Sequence, residues 1–158
     1  MQNKFAEMIL KIEEGRSLKP YYCTEHFPTI GYGRKLSDIK YAPLPNIVAN
    51  EKEELEFLRK RIQESINKLS TQKPLAWSKC NEQRQAILVS MVYQLGFNGT
   101  LVFKKMWAAI EVGNFEEASK QMLDSLWAKQ TPKRALRHAK TMKDGSLDMY
   151  YVSAGVFK

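Results

Sequence analysis

The chain has 158 residues, 44% of them hydrophobic, which is enough apolar material for the core of one domain and too much for a disordered chain. Its formal net charge of +8 and pI near 9.5 point to an acidic partner: nucleic acid, an anionic membrane or an anionic cell-wall polymer. The two cysteines, Cys23 and Cys80, and two histidines, His26 and His138, lie at no metal-ligand spacing, which argues against a zinc site, against a disulfide framework and for two free thiols.

Lys4, Glu7 and Lys11 interrupt the apolar character of the N-terminal stretch, so it does not read as a signal peptide. No segment approaches membrane-spanning length. The expectation is synthesis in the cytoplasm without stable membrane insertion. Residues 3–13 instead place Phe5, Met8, Ile9 and Ile12 at helical spacing, with Gly15 as the stop. Pro20 restricts Leu18 to Cys23 to an edge strand or loop, residues 24–28 read as a turn, and residues 29–33 resume an extended pattern. Together these predict a small, irregular antiparallel sheet.

Residues 34–50, with Pro43 and Pro45, read mostly as loop or short strand. Asn50 and Glu53 then form a capping arrangement for a helix striped by Leu55, Leu58, Ile62, Ile66 and Leu69. So narrow a stripe suits a connector exposed on much of its surface. The chain loosens at Pro74 and restarts at Asn81, an N-cap; Ala86 to Leu95 is apolar on nearly every side, broken by Ser90 and Gln94, and reads as a buried central helix ended by Gly96. Asn98-Gly99 predicts a turn, and Phe103 to Ile110 a helix ended by Gly113. A single helix capped by Asn114 and Glu117 should carry Ala118 through Trp127. Thr131 and Pro132 should serve as N-cap and first residue of a basic helix through about Met142, closed near Gly145. The tail, SLDMYYVSAGVFK, has room for one more short helix.

The chemistry concentrates between Glu13 and Gly33. Glu14 ends the first helix, where the negative end of the helix dipole disfavours an anion and so suits a proton donor. The spacing Glu14, eight residues, Cys23, five residues, Thr29, set within the surrounding EG, CTE and TIGYG, resembles the catalytic pattern of the tailed-phage lysozymes, glycoside hydrolase family 24, and in particular their T-even-like members. In that family the middle position is Asp or Cys. SMVYQLGFNG, GNFEEAS and DSLWAKQTPKRALRH extend the resemblance over nearly the whole chain, except residues 38–50 and the last eight or so.

The resemblance implies an α+β, mostly α, two-lobed lysozyme-like domain over residues 1–158. Residues of about 13–50 would form the small lobe, about 51–70 the connecting helix, and about 71–158 with the N-terminal helix the helical lobe. It implies an endolysin that hydrolyses the β-1,4 bond between N-acetylmuramic acid and N-acetylglucosamine in bacterial peptidoglycan, as a monomer without cofactor, reaching the periplasm through a holin-type pore. Glu14 would be the general acid, Thr29 and Cys23 would position the attacking water, and Arg134 would pair with Glu14. Tyr93 and Gln94 fall at family positions that face the cleft, and Gly33, like Gly31, allows close backbone approach to a substrate, as turn geometry alone would also require. Tyr93 could equally fill core, and Trp127 reads as core rather than platform.

Arg34 departs from the family pattern, which has His there, and the aligned acidic partner falls near Arg61. That ion pair is therefore absent or rebuilt with another acid. Two further readings remain: a wall-binding protein with the same fold and impaired catalysis, for which Cys23 is the hint, and a nucleic-acid binder. The latter is disfavoured because the basic residues are spread over several helices and carry no recognition motif.

Overall fold

Asn3 starts the first helix, its side chain accepting the Ala6 N–H over α1 (Lys4–Glu14). In this computed structural model the described residues are 3–156; residues 1–2 and 157–158, the ends of the N-terminal stretch and of the expected tail helix, lie outside them. Gly15, at φ 66°, turns the chain out of α1 and into β1 (Ser17–Tyr22). β1 pairs antiparallel with β2 (Pro28–Gly31), which pairs antiparallel with β3 (Arg34–Lys35). A register irregularity between Ser17 and Tyr21 spans Pro20, which has no N–H to give to a ladder. β2, the central strand, is buried throughout.

After the irregular segment to Asn50 comes α2 (Glu51–Gln72). Asn50 accepts the Glu53 N–H, and the buried face is Leu58, Ile62, Ile66 and Leu69, the expected stripe with Leu55 at its margin. Near its start α2 also buries Glu54, which meets the sheet; near its end it packs on α3 (Pro74–Lys79). α4 (Glu82–Leu95) is capped by Asn81 and buried at every residue from Ala86 to Tyr93. It is the centre of the helical region, with α1, α2 and α9 (Pro132–Asp144) packed on it. The fold is the mostly helical α+β arrangement the sequence pattern implies.

Several local expectations are corrected. Pro74 starts α3 rather than a loosened segment, because proline at N1 gives up only a donor that would be free anyway. Asn98-Gly99 lies inside a short helix, α5 (Phe97–Leu101), held by burial of Phe97 and Thr100. α6 (Lys104–Glu111) follows, ended as expected by Gly113 at φ 74°.

The single helix expected after Asn114 is two. α7 (Phe115–Leu123) stops at Asp124, and Ser125 accepts the Ala128 N–H to start α8 (Leu126–Gln130). Thr131 precedes α9 without a side-chain cap, since its hydroxyl donates to the Trp127 carbonyl at 3.1 Å. α10 (Met149–Val156) returns to pack on α1.

Candidate active site

Three distant segments meet at Glu14. It is the last residue of α1, and its side chain reaches the turn after β2 and α9. Oε1 accepts a hydrogen bond from Arg134 Nη1 of α9 at 3.0 Å, with the two side chains 20% and 11% exposed. Oε2 lies against Gly33, where an added Cβ would come within 3.2 Å; at φ 81° the backbone there also disfavours any side chain. Arg134 continues inward, its Nη2 donating to Ser90 Oγ at 2.9 Å and the Ser90 carbonyl at 3.3 Å.

Cys23 and Thr29 are joined through one backbone carbonyl. The Cys23 N–H donates to Phe27 O at 3.0 Å, and the buried Thr29 hydroxyl donates to the same oxygen at 2.8 Å. With its proton directed there, the Thr29 oxygen keeps its lone pairs to accept from a ligand or water. Cys23 is half-buried. Its burial pushes the thiol up, but hydrogen bonding from the Phe27 and Glu25 backbone and from Thr29 outweighs this, and the net direction is below the ordinary thiol value. The Thr29 hydroxyl has only one proton for Phe27 and Cys23. The 2.8 Å geometry assigns it to the carbonyl, leaving the two backbone amides as the main support of a thiolate.

Tyr21, paired with Thr29 in the sheet, lies near both Glu14 and Cys23. Burial raises its hydroxyl above the usual phenol range, and the charges of Glu14 and then Cys23 raise it further. The phenol thus lies within electrostatic reach of both, although sequence reasoning missed it; its place two residues before Cys23, in the strand that leads to it, is weak signal.

Gln94 answers for the polar break in the buried helix. Its Oε1 accepts from Trp127 Nε1 at 2.8 Å, and its Nε2 stands 3.5 Å from Thr131 Oγ1. Trp127 is buried, as expected of core. Tyr93 is only 5% exposed, and its hydroxyl donates to the Tyr32 carbonyl at 2.6 Å, between Gly31 and Gly33. Burial pushes that hydroxyl up to about 12 against the opposing charge of Arg61, so it remains a donor. Arg61 stacks on the Tyr93 ring at 3.8 Å and donates to the Tyr93 carbonyl at 3.0 Å, joining α2 to α4.

Arg34 has its ion pair after all, with an acid displaced along α2 from the aligned position. Its Nε and Nη2 both reach Glu54, the shortest contact being 2.6 Å. Glu54 and Ser90 are the supporting residues that sequence reasoning missed. A recoverable signal existed for Ser90, which stands one turn before Gln94 and is, with it, the polar break in the apolar run from Ala86 to Leu95.

The "Phage lysozyme" family model matches residues 11–141. The chain is 33% identical over 167 aligned residues to the "Pre-baseplate central spike protein Gp5" of Enterobacteria phage T4; the alignment covers 93% of this chain and 29% of that protein. It is 28% identical over 164 residues to "Probable T4-type lysozyme 1" of Dictyostelium discoideum, covering 90% of this chain and 95% of that one. A second protein of that organism, "Probable T4-type lysozyme 2", matches with the same identity and coverage. The chain belongs to the phage lysozyme family and is by class a lysozyme, a glycoside hydrolase. It spans less than a third of the spike protein's length and nearly all of the two stand-alone lysozymes.

Proposed function

We propose that the protein is an endolysin that cleaves the β-1,4 bond between N-acetylmuramic acid and N-acetylglucosamine in peptidoglycan, opening the wall for release of phage progeny. The observation that carries this reading is the Glu14 carboxyl, held on one oxygen by Arg134 and packed on Gly33 by the other. Protonated Glu14 gives its proton to the leaving glycosidic oxygen, and Arg134 keeps the carboxyl aimed there. As the bond lengthens, positive charge develops at the sugar carbon and water attacks from the opposite face.

Thr29 accepts a hydrogen bond from that water, its own proton being committed to Phe27 O. Cys23 accepts from the water on the other side, more strongly as thiolate than as thiol. Together they supply position, which is worth several kcal/mol when a second reactant need not be captured from solution. The proton the water sheds as its bond to the sugar carbon forms passes to solvent, from which Glu14 is reprotonated for the next cycle. Gln94 and Gly33 face the glycan. Tyr93 supports the turn that carries Gly33 through the Tyr32 carbonyl. The net charge of +8 draws the enzyme, acting as a monomer, to an anionic wall.

Two other readings have a specific observation behind them. A thiol in place of a second carboxyl favours a wall-binding protein with impaired catalysis. Identity to a spike protein favours a lysozyme unit carried in a virion. Mass spectrometry of muropeptides after digestion separates the first two. Free reducing muramic acid supports hydrolysis, an anhydro product means a lytic transglycosylase, and binding without release means the impaired protein. Detection of the chain in purified virions would favour the third.

A further inference from the structure

We propose that His138, fixed in one neutral tautomer, is a positioning residue for Glu14, acting through Ser90 and Arg134. The inference rests on the reading of Glu14 as general acid. Arg134 Nε is buried without a partner among the described residues, so the guanidinium is oriented by its Nη1 bond to Glu14 and its Nη2 bonds to Ser90. What fixes Ser90 therefore bears on where the acid points. Ser90 is fully buried, and its Oγ lies 2.7 Å from Nε2 of His138, also fully buried on α9 one turn after Arg134.

The proton order along this chain has one solution. The Glu13 carboxylate can only accept, so the Tyr151 hydroxyl gives it its one proton and must accept from His138 Nδ1, which lies 2.9 Å from Tyr151 Oη. The neutral ring then has no hydrogen on Nε2, and Ser90 Oγ, which accepts from Arg134, sends its own proton there. The Glu13 carboxylate also receives Nε and Nη2 of Arg137. The series runs from Glu14 on one side of the α1 terminus through Arg134, Ser90, His138 and Tyr151 to Glu13 on the other.

A side chain that only filled space at position 138 would leave the Ser90 proton without its acceptor. The hydroxyl would then rotate toward the backbone of its own helix, a common alternative for serine. That rotation turns its lone pairs away from Arg134 Nη2. The guanidinium loses the anchor opposite Glu14, and the acid loses its fixed aim while the sugar-binding groups stay in place. The effect falls on turnover, because a misplacement of about 1 Å costs up to roughly 10²-fold in rate and a partial loss of aim correspondingly less.

The test has two arms, one independent of activity. In the folded wild-type protein, nitrogen-15 NMR should find His138 with the proton on Nδ1 and none on Nε2; the opposite tautomer, or a mixture of the two, overturns the proton order whether or not the protein hydrolyses peptidoglycan. In kinetics on soluble glycan strands, Ser90→Ala and His138→Leu should each lower kcat roughly tenfold with KM unchanged. The double variant should lose no more than either single one, since both break one chain. His138→Gln, whose amide oxygen can accept the Ser90 proton, should recover most of kcat. Wild-type kcat in folded His138→Leu, additive losses in the double variant, or failure of His138→Gln to recover would each overturn the proposal. Should His138→Leu not fold, Ser90→Ala and the tautomer decide it. An inactive wild-type protein with the Nδ1–H tautomer would instead refute the assigned activity and leave the proton order standing.

Discussion

Arg34 grips the carboxylate of Glu54 through both Nε and Nη2, and that buried carboxylate fills the space where a Cβ on Gly31 would stand. The sheet is thereby fastened to the start of α2 by an ion pair whose acid is 1% exposed and whose arginine is 33% exposed. Removing Arg34 strands a buried charge, which costs more than the pair itself contributes. Arg34→Ala should destabilise the protein by about 3 kcal/mol in urea unfolding. Gly31→Ala should fare no better, because its Cβ would lie 2.3 Å from Glu54 Oε2 at a φ of 65°. Wild-type stability in either variant would mean that the sheet is held by other contacts.

His138 predicts a pH dependence of stability. Burial, then the charges of Arg134 and Arg137, hold its pKa well below the ordinary 6.5; Ser90 and Tyr151 bond its nitrogens, and Glu13 lies beyond Tyr151. Below about pH 6.5 the unfolded chain takes up a proton that the folded one refuses. The contribution is complete above that pH and is lost as pH falls toward the folded value, at up to about 1.4 kcal/mol per pH unit. Unfolding free energies between pH 7.5 and pH 5 should fall more steeply for the wild type than for His138→Gln. Equal slopes would contradict a neutral buried imidazole.

The cysteines should differ sharply. Burial pushes the Cys80 thiol up to about 12, whereas Cys23 is half-exposed and shifted downward. Iodoacetamide at neutral pH should modify Cys23 in the native protein and reach Cys80 only after unfolding, as peptide mass mapping would read. Cys23→Ser should lower kcat and Cys23→Asp should restore or raise it. Equal activity in all three forms would remove the side chain from the chemistry.

Arg84 caps the C-terminal end of α9. Its Nε and Nη2 donate to the Met142 and Lys143 carbonyls at 2.7 and 3.1 Å, and its guanidinium stacks 3.6 Å from the Phe115 ring centroid. The positive charge also meets the negative end of the helix dipole. Arg84→Ala should cost about 1–2 kcal/mol in thermal unfolding without altering kcat. A normal melting temperature would show that these carbonyls need no such partner.

What could be read from the sequence was whatever depends on neighbours along the chain. Asn50, Asn81 and Asn114 each accept the N–H three residues on, because a cap is a local hydrogen bond. The stripe of α2 and the all-round burial of α4 followed from periodicity. Thr131 misled because a non-local neighbour, Gln94, and its own i−4 carbonyl compete for its hydroxyl. The break at Asp124–Ser125 and the short α5 likewise depend on packing that no local pattern records.

At the site, the proximity of Glu14 to Arg134 spans 120 positions, and only the family motif brought the two together in advance. Glu54 escaped notice because a salt bridge can be rebuilt from a different turn of the same helix. His138 escaped because one histidine on a basic helix carries no signal until its partners are known.

The most direct test is Glu14→Gln, which keeps a hydrogen-bond partner for Arg134 and removes the transferable proton. On isolated peptidoglycan the variant should bind as the wild type does, keep its circular dichroism, and release reducing ends at least roughly 10²-fold more slowly. Release at the wild-type rate by the folded variant would refute Glu14 as the acid.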